Sequence, residues 1–138
     1  MKLPSSPAWD RPAPRPAVRP GRPTSITVCL YEGSTIGASA RLVGRPAAQL
    51  AANIAAAKAG PVPDQPRRCV TLPEEDPVWL HLHYANGPDQ DVRIHFDGCT
   101  NRYVASATGQ SQVTVAVLQA ALTPLRTGYA YDASLPRR

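Results

Sequence analysis

The residues of this chain whose types could do chemistry are concentrated between positions 69 and 99, where two cysteines bracket all three histidines. Imidazole nitrogens bind zinc, and three such ligands that leave a fourth position open to water make a hydrolytic centre. The histidines are His81, His83 and His95. They define a candidate zinc site, and with it the hypothesis of a zinc-dependent hydrolase.

Two strands of a hairpin would position these histidines. Apolar and polar residues alternate over residues 78–84 and again over residues 92–96, which is the period of a half-buried strand. The expected hairpin register sets His81 opposite His95, with His83 diagonal to it. The three rings would then converge on one face of the hairpin.

The same face carries the other large polar and aromatic side chains of the hairpin. Its members are Trp79, His81, His83, Arg93 and His95. A tryptophan among polar groups is a frequent interaction anchor, so the face predicts a binding surface for an unidentified protein or cell-envelope partner. The alternative is a structural face whose tryptophan is covered by the second helix.

The cysteine pattern predicts one disulfide, between Cys69 and Cys99 at the two ends of the hairpin. Such a bridge would contribute about 3–4 kcal/mol by the chain-entropy estimate. Pairings of Cys29 with either partner remain open. A bridge favours a secreted or envelope-associated protein, although no apolar run of signal-peptide length is visible, which leaves a cytoplasmic location as the alternative.

Charge and proline content separate the beginning of the chain from the rest. Residues 1–24 hold seven prolines, five basic residues and one acidic residue. Most of the net charge of +5 of the 138-residue chain therefore lies in this segment. We expect a disordered Pro/Arg-rich tail there, one domain over residues 25–126 and a flexible tail over residues 127–138. Because the positive charge lies on a tail rather than on a folded face, nucleic acid is disfavoured as a partner. No segment reaches the length of a membrane span.

The order of the elements predicts an α+β fold. The expected elements are strands over residues 26–31 and 36–43, a helix from Pro46 to the stop at Gly60, the hairpin, a short strand within residues 102–107, and a second helix capped by Ser111. The alternation of Val113, Val115 and Val117 leaves a strand open as the alternative to this second helix. This order predicts a small antiparallel sheet with the helices packed on one face.

Four short strings resemble a group of small secreted or lipoprotein-type proteins of actinobacteria, whose function is uncharacterised. The strings are Val28-Cys29-Leu30-Tyr31, Ala47-Ala48-Gln49-Leu50, Tyr84-Ala85-Asn86-Gly87 and Asp97-Gly98-Cys99. The resemblance covers residues 26–122 and implies export and fold. It implies no catalytic residues.

A second resemblance is to the Streptomyces subtilisin inhibitor family, through a helix between strand pairs, Cys69, the string Asp76-Pro77-Val78 and Cys99. This resemblance implies a protease-binding loop formed by Val70, Thr71 and Leu72, with Thr71 as the specificity residue. The partner would then be a serine protease, held by a preorganised extended loop.

Motifs for covalent or phosphate chemistry are absent from the sequence: it has no Ser-His-Asp elbow and no glycine-rich phosphate loop. We therefore expect a non-enzymatic extracytoplasmic binding module without a cofactor. The alternatives are the protease inhibitor and the zinc hydrolase.

Overall fold

The structure, a computed structural model, describes residues 16–63, 77–96, 102–126 and 135–138. Its strands are β1 (Ser25–Glu32), β2 (Thr35–Val43), β3 (Val78–His83), β4 (Gln90–His95), β5 (Tyr103–Ala105) and β6 (Gln110–Ser111), and its helices are α1 (Gly44–Ala56) and α2 (Val115–Leu122), which a 3-10 turn over Thr123–Leu125 extends. The expected α+β class is confirmed. Within the described ranges, no helix is long and apolar enough to cross a membrane.

All six strands form one antiparallel sheet in the order β2-β1-β3-β4-β5-β6. Strand β1 lies inside the sheet because both of its edges are paired: Ser25 is opposite Val43 on one side and opposite His83 on the other. Strand β2 forms one edge of the sheet. At the other edge, Ser111 of β6 is bridged to Ala59.

The main core lies between one face of the sheet and the two helices. Ile26 and Leu80 from the sheet, Leu50 and Ile54 from α1, and Leu118 from α2 are all fully buried in it. Burial of each such side chain stabilises the fold by about 1.5–3 kcal/mol. The two helices therefore share one core with the sheet, as the sequence predicted.

The second helix begins later than the sequence predicted. Its N-cap is Thr114, whose hydroxyl oxygen accepts a hydrogen bond from the backbone N–H of Val117 at 3.1 Å. Ser111, the expected cap, lies in β6 instead, and its hydroxyl accepts a hydrogen bond from the N–H of Ala17. The β-branched residues after Thr114 are tolerated because the helix is buried against α1 rather than selected by propensity alone.

Parts of both expected tails are packed against the domain. Ala17 and Val18 are buried in the main core, and the carbonyl of Ala17 accepts hydrogen bonds from Gln90 and Ser106. Leu135 is also buried in this core. The expected tails therefore differ from the structure over residues 16–24 and 135–138.

The C-terminal residues complete the start of α2. The carbonyl of Pro136 accepts a hydrogen bond from the N–H of Val115 at 2.7 Å, and the carbonyl of Arg137 accepts one from Ala116 at 3.1 Å. These donors belong to the first turn of a helix, where backbone N–H groups have no partner within the helix. The end of the chain supplies the missing acceptors.

The register of the central hairpin was predicted wrongly. In the structure His81 pairs with Asp91 and Val92 pairs with Leu80, so β4 is displaced by four residues from the expected alignment. The cause lies outside the hairpin: the guanidinium of Arg19 donates to the carbonyls of Asn86 and Pro88, both at 2.7 Å. These contacts hold the loop over residues 84–89, so β3 ends at His83.

Candidate functional site

Two histidines and two aspartates form a hydrogen-bonded group, which we call the His–Asp cluster, on the sheet face opposite the helices. The ring of His81 contacts Asp91 through Nδ1 at 2.7 Å and Asp89 through Nε2 at 2.9 Å, and Nδ1 of His83 contacts the other oxygen of Asp89 at 2.8 Å. Strands β3 and β4 supply three members, and the loop supplies Asp89. All four side chains are 37–55% exposed.

The geometry around His81 favours the charged form of its ring. Both nitrogens face carboxylate oxygens, which only accept hydrogen bonds when ionised, so both hydrogen bonds form when the ring is protonated as an imidazolium. The hydrogen bond to Asp91 raises the pKa of His81 most strongly, and Asp89 adds to the effect against the opposing effect of burial. The hydrogen bond from His81 in turn lowers the pKa of Asp89.

The third histidine belongs to a different group. His95 stacks on Tyr103 with the ring centres 5.3 Å apart, and the Arg93 side chain donates to the Tyr103 hydroxyl. His95 lies four residues along β4 from Asp91, a distance of about 13 Å at the strand rise. The expected convergence of the three rings is therefore not found.

The described residues were expected to hold a zinc site at the three histidines. No group of three or more His, Cys, Asp or Glu side chains within the described parts of the chain is arranged to hold a metal ion. In the His–Asp cluster, both nitrogens of His81, Nδ1 of His83 and both oxygens of Asp89 are engaged in hydrogen bonds within the cluster at 2.7–2.9 Å.

Trp79 lies on the expected face but is buried, with 7% of its surface exposed. It packs with Cys29 and Tyr31 in a second, smaller core cluster on this side of the sheet. Helix α2 belongs to the main core on the other side, so it does not cover Trp79 as the alternative interpretation expected. In its buried position, Trp79 cannot serve as the exposed anchor of a binding surface.

Cys29 is a free thiol, and burial raises its pKa. The expected bridge between Cys69 and Cys99 lies outside the described residues. The same is true of the inhibitor loop at Val70, Thr71 and Leu72.

A cleft of about 1330 Å³ lies between α1 and residues 16–24, and we call it the N-terminal cleft. Helix α1 forms one wall with the methyl side chains of Ala48, Ala51, Ala52 and Ala55, and the opposite wall consists of Pro16, Val18, Pro20 and Pro23. The cleft exists because alanines leave the helix surface shallow where larger side chains would fill the space. Its volume exceeds the 300–1,000 Å³ typical of ligand pockets.

Among the described residues, the charged side chains that line the N-terminal cleft are all positive: Arg19, Arg22 and Arg45. Arg22 and Arg45 are exposed, whereas Arg19 is held by the loop carbonyls. Gln49, Thr24 and Thr108 supply the neutral polar side chains of the lining. The arrangement suits an apolar ligand that carries a negative charge.

Sequence reasoning missed this cleft because it placed residues 16–24 in a disordered tail. A signal was nevertheless present, since Ala17 and Val18 interrupt the run of prolines and arginines with two apolar residues. Both side chains are buried in the core. They fix the segment that forms the second wall.

No protein-family model matches the chain, and no match was found among curated proteins or among solved structures. The functional argument therefore depends on the site geometry.

Proposed function

We propose that this protein is a non-enzymatic binding module that holds an anionic amphiphile in the N-terminal cleft, with the apolar chain between its walls and the acidic head group near Arg22 and Arg45. The observation that carries the proposal is a large cleft with alanine and proline walls whose charged lining residues are all arginines. Burial of an alkyl chain in such a cleft is favourable by about 0.8 kcal/mol for each methylene group removed from water.

An alkyl chain fits these walls better than a peptide does. A bound peptide buries main-chain N–H and C=O groups, which need hydrogen-bond partners. The main chain of α1 is bonded within the helix, and Pro16, Pro20 and Pro23 have no N–H to offer. A hydrocarbon chain makes no such demand.

The arginines give the site its preference for an acid. A carboxylate near Arg22 or Arg45 gains Coulomb energy that water and salt partly screen, because both side chains are exposed. We expect each arginine to contribute a factor of about 2–5 in affinity at low salt. Raising the salt concentration should weaken the preference for the acid without removing the apolar contribution.

The experiment compares decanoate with decan-1-ol, which has the same chain and a neutral head group, by isothermal titration calorimetry. Wild-type protein should bind decanoate more tightly, and the double variant Arg22→Ala/Arg45→Ala should lose this preference while it still binds the alcohol. The control is Arg41→Ala/Arg126→Ala, which removes two exposed arginines that do not line the cleft. Equal affinity for acid and alcohol in the wild type would refute the assigned head-group site.

We also propose an extracytoplasmic location, which the cysteine pattern supports. Intact mass of protein from its native host, measured with and without reduction, tests this point. A bridge between Cys69 and Cys99 is the expected result, and three free thiols would remove the argument for export.

A further inference from the structure

The sheet has one open edge. Strand β2 pairs with β1 along its inner side, and within the described residues nothing pairs with its outer side. The strand is nine residues long, contains no proline and no lysine, and has one bulge, at Gly37 near its start, which leaves Ala38–Val43 in regular pairing with β1. Proline and lysine are two of the residue types by which natural edge strands avoid pairing with another chain, and β2 has neither.

Two large hydrophobic side chains on this same strand are exposed. Ile36 and Val43 are 42% and 58% exposed, and they are the large hydrophobic residues that the described structure leaves in contact with water. They lie near the two ends of β2, where Ile36 pairs with Tyr31 and Val43 pairs with Ser25. An edge with apolar ends and unpaired backbone groups is a template for a further strand.

From these observations we propose that β2 is a homodimer interface, in which the β2 edges of two copies pair antiparallel about a two-fold axis near Ala40 to form one continuous twelve-stranded sheet. In this arrangement the Ile36 end of each copy adjoins the Val43 end of the other. Each copy therefore covers the apolar end that the other exposes.

Charge favours this antiparallel pairing over a parallel one. Arg41 is the only charged residue of β2. A parallel pair in register would set the two Arg41 side chains beside each other, which is unfavourable between directly neighbouring strands. An antiparallel pair centred near Ala40 sets each Arg41 opposite Ser39 of the second copy instead.

The opposite edge explains why a closed dimer forms rather than a fibre. Ser111 of β6 is bridged to Ala59, and both residues of β6 are buried. Among the strands that the structure describes, β2 is then the open edge, so antiparallel pairing of two copies uses up that edge and ends there. This interface is independent of the N-terminal cleft and its ligand.

The test is sedimentation equilibrium of the full chain from about 1 µM to about 200 µM, a range over which a weak dimer changes its population by mass action. The wild type should approach twice the 14.8 kDa mass of one chain. The variant Ile36→Lys/Ser39→Lys, which puts charge on two exposed β2 positions, should raise the dissociation constant at least about tenfold.

The matched control is Ala56→Lys/Ala107→Lys, which adds the same charge at exposed positions away from β2 and should dimerise like the wild type. Hydrogen exchange at the β2 amides should slow as the protein concentration rises in the wild type and in this control. A wild type that stays monomeric over the whole range overturns the proposal. So does a dimer whose strength the β2 lysines leave unchanged, or an assembly that grows beyond two chains.

Discussion

The guanidinium of Arg19 lies 4.1 Å from the centre of the Tyr84 ring. The same guanidinium donates hydrogen bonds to the carbonyls of Asn86 and Pro88. One side chain from the start of the chain thus holds the loop that sets the register of the central hairpin. It also fixes one wall of the N-terminal cleft.

Replacing Arg19 should therefore destabilise the whole domain. We expect Arg19→Ala to lower the free energy of unfolding by about 1–3 kcal/mol, because two hydrogen bonds from a charged donor and one cation–π contact are lost. Urea denaturation measures the effect. Arg22→Ala, which removes an exposed arginine of the same segment, should change stability by less than about 0.5 kcal/mol. Similar losses for both variants would show that Arg19 does not hold the loop.

Gly87 offers an independent view of the same contact. Its φ of 90° strains any other residue, and a Cβ there would lie 2.7 Å from Nη2 of Arg19. Gly87→Ala should therefore cost more stability than Gly33→Ala, where φ is 64° and nothing lies within 4 Å of the added carbon. In an Arg19→Ala background the excess cost at Gly87 should shrink to the part caused by its φ, which a double-mutant cycle measures. An unchanged excess would argue against the contact.

The His–Asp cluster should make the stability of the fold depend on pH in a known direction. Because the pKa of His81 is raised from 6.5, its contribution to stability is complete below pH 6.5 and is lost as the pH rises through the raised value. Because the pKa of Asp89 is lowered from 3.8, its contribution is present above pH 3.8 and is lost as the pH falls through the lowered value. The cluster should stabilise the fold most between these two limits.

NMR titration of the His81 ring protons checks the cause of this shift. Asp91→Asn should move the His81 pKa down towards 6.5, since the hydrogen bond to Asp91 is the largest contribution. Glu32→Gln, which removes a carboxylate that contacts neither histidine of the cluster, is the control. A His81 pKa that is the same in wild type and Asp91→Asn would contradict the arrangement.

The alternating pattern of this hairpin predicts the sheet face on which each side chain lies, but it does not predict the register of the two strands. Alternation has a period of two, so it assigned Leu80 and Val92 to the core and His81 to the opposite face correctly. A slip of four residues leaves every side chain on the same face, so alternation cannot distinguish the two registers. The choice depends on Arg19, which is distant in sequence.

The N-terminal cleft was not predicted because it, too, depends on contacts between residues that are distant in sequence. The N-terminal cleft needs residues 16–24 to lie against α1, and this placement depends on buried contacts of Ala17 and Val18 with the core. Proline and arginine composition alone is typical of an extended tail. Local pattern predicted the helix α1 that forms one wall, but the other wall follows from tertiary contacts.

The cap of α2 gives a further test of the fold. Thr114→Ala should lower the free energy of unfolding by about 1 kcal/mol, because the N–H of Val117 loses its acceptor. Thr114→Ser keeps the hydroxyl and should retain most of the stability. Thermal unfolding followed by circular dichroism compares the two. Equal losses for alanine and serine would place the effect in the lost methyl group rather than in the cap.

Filling the N-terminal cleft tests the proposed function most directly. Ala52 lines the cleft and is exposed, whereas Ala56 is an exposed alanine of the same helix outside the lining. With decanoate binding followed by calorimetry, Ala52→Trp should weaken binding at least about tenfold, because the indole takes the space of the alkyl chain. Ala56→Trp should bind like the wild type. A wild type that does not bind decanoate, or an Ala52→Trp variant that binds it unchanged, would contradict the account.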